Sequence, residues 1–123
     1  RKHGTYYHFY DGYMSEMITY NYGKKDGLNE KYNRKGVVKF SYQWKNNVKH
    51  GPWEQRNDRD EVVVEGTYAN NSKEGPEKTF YRGKLEFLKH YENGRLHGEL
   101  LQYSTRTGEV VERKIYVHGK LQK

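Results

Sequence analysis

The sequence predicts an all-β fold: a single-layer antiparallel meander of about five repeated β-hairpins, forming an open solenoid that is twisted and curved. Three observations predict it. A polar residue followed by glycine recurs at His3-Gly4, Asp26-Gly27, His50-Gly51, Glu74-Gly75 and His97-Gly98, at intervals of 23, 24, 24 and 23 residues. A fixed period of this size marks a repeat architecture. Each period splits into two runs rich in Tyr, Val and Thr, separated by a turn that most often carries Gly or Asn. The apolar residues then fall in register with the period.

The units are 3–25, 26–49, 50–73, 74–96 and 97–121, within one domain covering 1–123. Unit one has the runs Thr5–Tyr10 and Tyr13–Tyr20, an inner turn at Asp11-Gly12 and an exit turn at Asn21-Tyr22-Gly23. Unit two turns at Arg34-Lys35-Gly36 and exits at Asn46-Asn47. Unit three turns at Asp58-Arg59-Asp60 and exits at Asn70-Asn71. Unit four turns at Arg82-Gly83 and exits at Asn93-Gly94. Unit five turns at Thr107-Gly108 and exits at His118-Gly119. Asn and Gly tolerate positive φ, which tight hairpin turns require. Gly about every eleven residues leaves no room for a helix of ordinary length. Pro52 and Pro76 each follow the repeat glycine, at a position where the missing N–H is tolerated.

The second strand of each unit assigns the faces. Three residues before the last exit-turn residue stand Tyr20, Trp44, Tyr68, Tyr91 and Tyr116, all aromatic. Nine before it stand Met14, Val38, Val62, Leu85 and Val110, all aliphatic. Seven before it stand Glu16, Phe40, Val64, Phe87 and Glu112. These offsets share a parity and so one sheet face. Five residues past the repeat glycine stand Phe9, Tyr32, Arg56, Phe80 and Tyr103, which the same reading adds to that face. Four past it stand His8, Lys31, Gln55, Thr79 and Gln102, which suit the wet face. A single layer with one apolar face must curl around it or be covered by another chain. Its terminal strands also leave open edges, through which the array could self-associate, and further repeats outside the chain are equally compatible.

Composition fits this picture. Only 33% of the 123 residues are hydrophobic, yet 19 are aromatic and 13 of those are Tyr. Mean hydropathy is −1.30. Such values would also suit a disordered chain, but the aromatics follow the period, and a repeat fold needs little core per residue. There is no Cys, which removes disulfides and thiolate metal sites. No apolar run approaches membrane-spanning length and no signal peptide is evident; the compartment stays open, with the cytoplasm slightly favoured.

The segment Tyr91-Glu-Asn-Gly-Arg-Leu-His-Gly98, followed by Tyr103 and Gly108-Glu109-Val110, resembles the variant MORN repeat, and the chain is similar to bacterial antitoxin-like proteins of the YwqK type. The resemblance covers essentially all 123 residues. Unit three departs at Asp60-Glu61 and Arg56, and unit two has Asn29 where Trp53 stands in unit three. The resemblance implies a hairpin solenoid used as a protein-interaction scaffold, with some members binding acidic phospholipid.

Two candidate surfaces follow. The aromatic column Tyr20, Trp44, Tyr68, Tyr91 and Tyr116 either lines a partner-binding groove, because Tyr and Trp dominate hot spots, or forms the sheet's own core. Trp44, Tyr68 and Tyr91 stand at its centre. The basic residues Lys24, Lys25, Lys31, Arg34, Lys35, Lys39, Lys45 and Lys49, interleaved with Tyr32, Tyr42 and Trp44, suit anionic lipid, and nucleic acid less well; the alternative is a solvated face. The net charge of +7 favours acidic partners generally. His3, His50 and His97 share a slot with Asp26 and Glu74 and read as polar turn residues too far apart for one ion. His8, His90 and His118 show no partner at metal-ligand spacing. No nucleophile elbow or phosphate loop is present. The expectation is a non-enzymatic protein–protein interaction module without metal or cofactor, of antitoxin or immunity type where the resemblance carries over. The alternatives are an anionic-surface binder and an edge-assembled array.

Overall fold

The computed structural model describes all 123 residues. Fourteen strands form one open antiparallel sheet with no helix: β1 Gly4–Tyr10, β2 Tyr13–Asn21, β3 Lys24–Tyr32, β4 Val38–Lys45, β5 Val48–Lys49, β6 Gly51–Arg56, β7 Val62–Ala69, β8 Ser72–Lys73, β9 Gly75–Tyr81, β10 Lys84–Glu92, β11 Arg95–Leu96, β12 Gly98–Tyr103, β13 Val110–Val117 and β14 Lys120–Gln122. The pairing order is β1-β2-β3-β4-β6-β7-β9-β10-β12-β13-β14, with β5, β8 and β11 on β4, β7 and β10. Each short strand is the start of the strand that follows it. The sheet is therefore a hairpin meander, and β1 and β14 are its two edges.

Local chemistry dictates the turns. Both central residues of every exit turn have positive φ: Tyr22 and Gly23, Asn46 and Asn47, Asn70 and Asn71, Asn93 and Gly94, His118 and Gly119. This is the type I′ geometry that matches the twist of flanking strands. Asp60 replaces the inner-turn glycine of unit three yet holds φ at 62°, near the 85° of Gly36. Asp tolerates this region, and the Arg56 guanidinium donates to Asp60 O and Oδ1, both at 3.1 Å.

Two irregularities repeat along the array. The slot-glycine pair is a bulge within a strand and not a turn. His50, Glu74 and His97 each donate their amide to the preceding strand, at Gln43 O, Thr67 O and His90 O (2.8–3.0 Å). Gly51 and Gly98 sit at φ 107° and 103° there, a conformation that favours glycine. The second irregularity shifts the register once per hairpin. His8 pairs with Glu16 but Phe9 with Met14; Lys31 with Phe40 but Tyr32 with Val38; Gln55 with Val64 but Arg56 with Val62. Units four and five do the same.

That second bulge corrects the face assignment. Lys31 and Gln55, both expected on the wet face, pair with Phe40 and so lie on the aromatic-column face. Phe9, Tyr32, Arg56, Phe80 and Tyr103 turn to the opposite face together with their partners Met14, Val38, Val62, Leu85 and Val110, all ten expected on the column face. There Tyr32 donates to Glu30 and Arg56 pairs with Glu54. Each bulge inserts one residue and reverses the alternation beyond it. The opposite face thus carries its own apolar strip near the inner turns.

Burial is sparse, as a single layer dictates. The buried residues are Ile18, Asn29, Trp53 and Glu77. Asn29, Trp53 and Glu77 each lie two residues past a repeat glycine. Ile18 pairs with Asn29, and Glu77 lies two strands beyond Trp53. Exposed apolar side chains gather on the terminal strands, at Tyr7, Phe9 and Tyr10 at one end and Val111, Ile115 and Leu121 at the other.

Candidate functional site

The aromatic column lies on one face, but its members do not stack on one another. Lysines separate them. Tyr20 pairs across the ladder with Lys25, Trp44 with Lys49 and Tyr68 with Lys73. Each lysine also reaches the aromatic of the next strand along. Lys2 lies 4.9 Å from the Tyr20 ring centre, Lys25 4.5 Å from Trp44, Lys49 5.2 Å from Tyr68 and Lys73 5.1 Å from Tyr91. The result is a ladder of alternating cations and rings, Lys2–Tyr20–Lys25–Trp44–Lys49–Tyr68–Lys73–Tyr91. Beyond Tyr91 the lysine position becomes Leu96, which pairs with Tyr91, and then Leu121, which pairs with Tyr116. Successive lysines stand two strands apart, about 10 Å. Each cation–ring contact contributes about 0.5–2 kcal/mol, depending on how far it is desolvated.

Backbone bonds place the lysines. Asn47 N donates to Lys25 O at 2.9 Å while Asn47 Oδ1 accepts from Lys25 N at 2.8 Å. Asn71 brackets Lys49 the same way, at 2.9 and 2.7 Å. The exit turn of each unit thereby fixes the lysine that covers the unit's own aromatic. The slot-glycine bulge adds two residues to the strand, with Ile18 paired to Asn29 and Tyr20 to Lys25, so the alternation is preserved and the lysine shares the column face.

The centre of the ladder is its most constrained part. Lys49 lies 4.1 Å from the Tyr42 ring as well as near Trp44 and Tyr68. Tyr42 stacks on Phe40 and on Trp53 at 5.9 and 6.1 Å. Burial, then repulsion from Lys31 and Lys25, lowers the Lys49 ammonium. Burial raises the Tyr42 phenol, and the neighbouring Tyr68 adds to the effect. At Lys73, burial works to lower the ammonium, but Glu77 and the neighbouring tyrosines outweigh it and the pKa rises. The Lys73 ammonium sits 2.9 Å from Glu77 Oε1. Burial, then Glu77, raises Tyr91. Trp44 is tied by its indole N–H to Asn29 Oδ1 at 3.1 Å.

The eight basic residues of unit two and its borders do not form one patch. Lys25, Lys31 and Lys49 share the column face. Lys24 and Lys45, each adjacent to a column-face residue, alternate to the opposite face. Lys35 stands in the β3–β4 turn. Arg34 is paired with Asp11 and Lys39 with Asp58, both at 2.9 Å. Lys89 and Lys114 join the column face through their pairing with Glu77 and Leu100. Its carboxylates are engaged: Glu77 by Lys73, Glu16 by Asn29 and Glu112 by Lys114. The opposite face carries Glu30, Glu54, Glu65 and Glu99 among Arg56, Lys78 and Arg113. The sheet is therefore basic and aromatic on one side and mixed in charge on the other. A shallow trough of about 440 Å³ lies on the mixed face, lined mainly by polar residues such as Ser41, Gln43, Glu54 and Thr67, with two prolines.

No protein-family model and no curated protein matches this sequence.

The lysine partners of the column escaped sequence reading. Lys2, Lys25, Lys49 and Lys73 recur two residues before Gly4, Gly27, Gly51 and Gly75, and that regular placement was the available signal. One histidine expectation is also corrected. His118 does have a partner: its ring lies 4.9 Å from that of His97. The two are 21 residues apart, and only the register of β11, β12 and β13 brings them together.

Proposed function

We propose that this chain is a non-enzymatic protein-binding module that receives an acidic partner on its lysine–aromatic face. The observation that carries the reading is the ladder. Four ammonium groups at a spacing of about 10 Å stand between aromatic rings on one face of a sheet. Held over rings, these side chains have already lost much of their rotamer freedom, so less is lost when a partner binds. The rings offer edges to apolar side chains, and the cations select carboxylates and reject basic surfaces. Trp44 and Tyr68, at the centre of the ladder, are the expected hot spots. The resemblance to variant MORN repeats adds that occlusion of a toxin or effector is a fitting task for such a face.

The test is affinity capture from the native host at moderate and high salt, with Lys25→Gln/Lys49→Gln and Trp44→Ala as variants checked for folding by circular dichroism. One stoichiometric protein, retained at high salt and lost in both variants, supports the reading. Retention by both folded variants refutes it.

A second reading is a binder of anionic surfaces, lipid before nucleic acid. The crowding of Lys25, Lys31 and Lys49 on one face, which adds to burial in lowering Lys49, favours it. It requires attraction that fades steeply with salt and survives Trp44→Ala. Vesicle sedimentation with phosphatidylserine tests both features, and salt-independent association would remove this reading.

A further inference from the structure

We propose that Glu92, His97 and His118 form a binding site for a divalent transition-metal cation of the zinc class. Glu92 ends β10, His97 stands in the bulge between β11 and β12, and His118 is the first central residue of the β13–β14 turn. One donor atom from each lies within 4.8 Å of the other two. His97 Nε2 is 3.7 Å from Glu92 Oε2. Donors around a tetrahedral zinc ion stand about 3.3 Å apart, given bonds of about 2.0–2.2 Å. Small side-chain rotations close the difference, and both Glu92 and His118 are exposed and free to make them. Two imidazoles and one carboxylate suit Zn²⁺, Ni²⁺ or Cu²⁺ over Mg²⁺ or Ca²⁺.

The repeat supplies an internal comparison. The same three positions hold Asn21, Asp26 and Asn46 at the first junction, Lys45, His50 and Asn70 at the second, and Ala69, Glu74 and Asn93 at the third. None of these sets offers three metal-type donors. The fold does not require histidine here either. The slot side chain accepts the amide of the exit turn, and Glu74 does so for Asn93 at 3.1 Å much as His97 Nδ1 does for His118 at 3.2 Å. Asn serves at the left-handed turn position in three units out of five. The last junction alone replaces these residues with a convergent donor set.

Ligation has a structural signature. His97 accepts at Nδ1, so its neutral ring carries the proton on Nε2, facing Glu92. An ion on Nε2 moves that proton to Nδ1 and gives up one long, exposed hydrogen bond. The ion then joins the end of unit four to the terminal hairpin, whose last strand, β14, is exposed and paired over only three residues.

The test is calorimetric titration of the protein with Zn²⁺ and with Ni²⁺ near pH 7.5, alongside ¹⁵N spectra of the imidazoles. Two variants install residues that the chain already uses at the matching positions: His118→Asn and Glu92→Ala. His50→Ala is the control. One ion per chain, with affinity at least about 10-fold weaker in each variant, the least that losing even an outer-shell partner costs, unchanged in the control, and a shift of the His97 proton to Nδ1, supports the site. Absence of saturable binding, or equal affinity in His118→Asn and the parent, overturns it. So does a loss in His50→Ala matching that in the two variants.

Discussion

Asn29 provides the sharpest energetic test of how the ladder is supported. It is 2% exposed and uses its whole amide. Nδ2 donates to Glu16 Oε2 at 3.0 Å and to Met17 O at 2.8 Å, while Oδ1 accepts from the Trp44 indole at 3.1 Å. Asn29→Asp changes almost no volume but replaces both donated protons with a carboxylate oxygen. One lost bond has a charged acceptor and one a neutral acceptor, together about 2–4 kcal/mol. Repulsion from Glu16 adds to this loss. Burial and that repulsion both raise the folded pKa of the new acid above the unfolded value of about 3.9. The folded state then binds the proton more readily than the unfolded state, so stability falls as pH rises through this range. Destabilisation is greatest at neutral pH and is relieved as pH falls through the raised folded value. Relief stays partial, because a protonated acid has one donor where the amide had two. Urea denaturation followed by tryptophan fluorescence, parent against variant at pH 7.5 and 4.5, measures this. A destabilisation under about 0.5 kcal/mol, the range of unremarkable surface changes, would refute the reasoning, as would one that does not shrink at pH 4.5.

Two further outcomes follow from the same face and its reverse. A Cβ on Gly66 would stand 2.9 Å from Trp53 Nε1 and 3.3 Å from Glu77 Cγ. Gly66→Ala should therefore displace the buried indole and destabilise by about 1–3 kcal/mol in urea denaturation. A neutral or stabilising result would show that Trp53 is loosely held. On the reverse face the Tyr32 phenol, pushed up to about 12 by burial and by its bond to Glu30, keeps its proton longer folded than unfolded. Its contribution is whole below about pH 10 and is lost as pH rises through about 12. Ultraviolet titration of tyrosinate should show late groups, with Tyr42 and Tyr91 among them, and the late amplitude should fall by one group in Tyr32→Phe; an unchanged curve would rule out the Glu30 contact.

Some of this was legible in the sequence because it is decided locally. Turn residues report the φ they tolerate, so Asn46-Asn47 and Asn93-Gly94 announced hairpins, and the recurring slot glycines, which are bulges and not turns, marked the period. Alternation over a short uninterrupted strand reports facing, so Tyr20, Trp44, Tyr68 and Tyr91 were assigned to one face correctly. The facing of Phe9, Tyr32 and Phe80 was not legible. One extra residue, at Ser15, Lys39 or Glu86, reverses the alternation and carries no glycine or proline to mark it. Lysine was read as solvated charge because its stem and head suit water or an aromatic ring equally well. Register alone placed Lys25, Lys49 and Lys73 between rings. Asn29 appeared only as a departure from Trp53, and its burial depended on Glu16 and Trp44 arriving from neighbouring strands. The convergence of Glu92, His97 and His118 depended in the same way on strand pairing. The sequence by itself determined the repeat, its turns and the shared face of Tyr20, Trp44, Tyr68, Tyr91 and Tyr116, since each rests on preferences of a few adjacent residues. Only the tertiary structure decided which side chains meet, since that requires the sum of bulges and register across several strands.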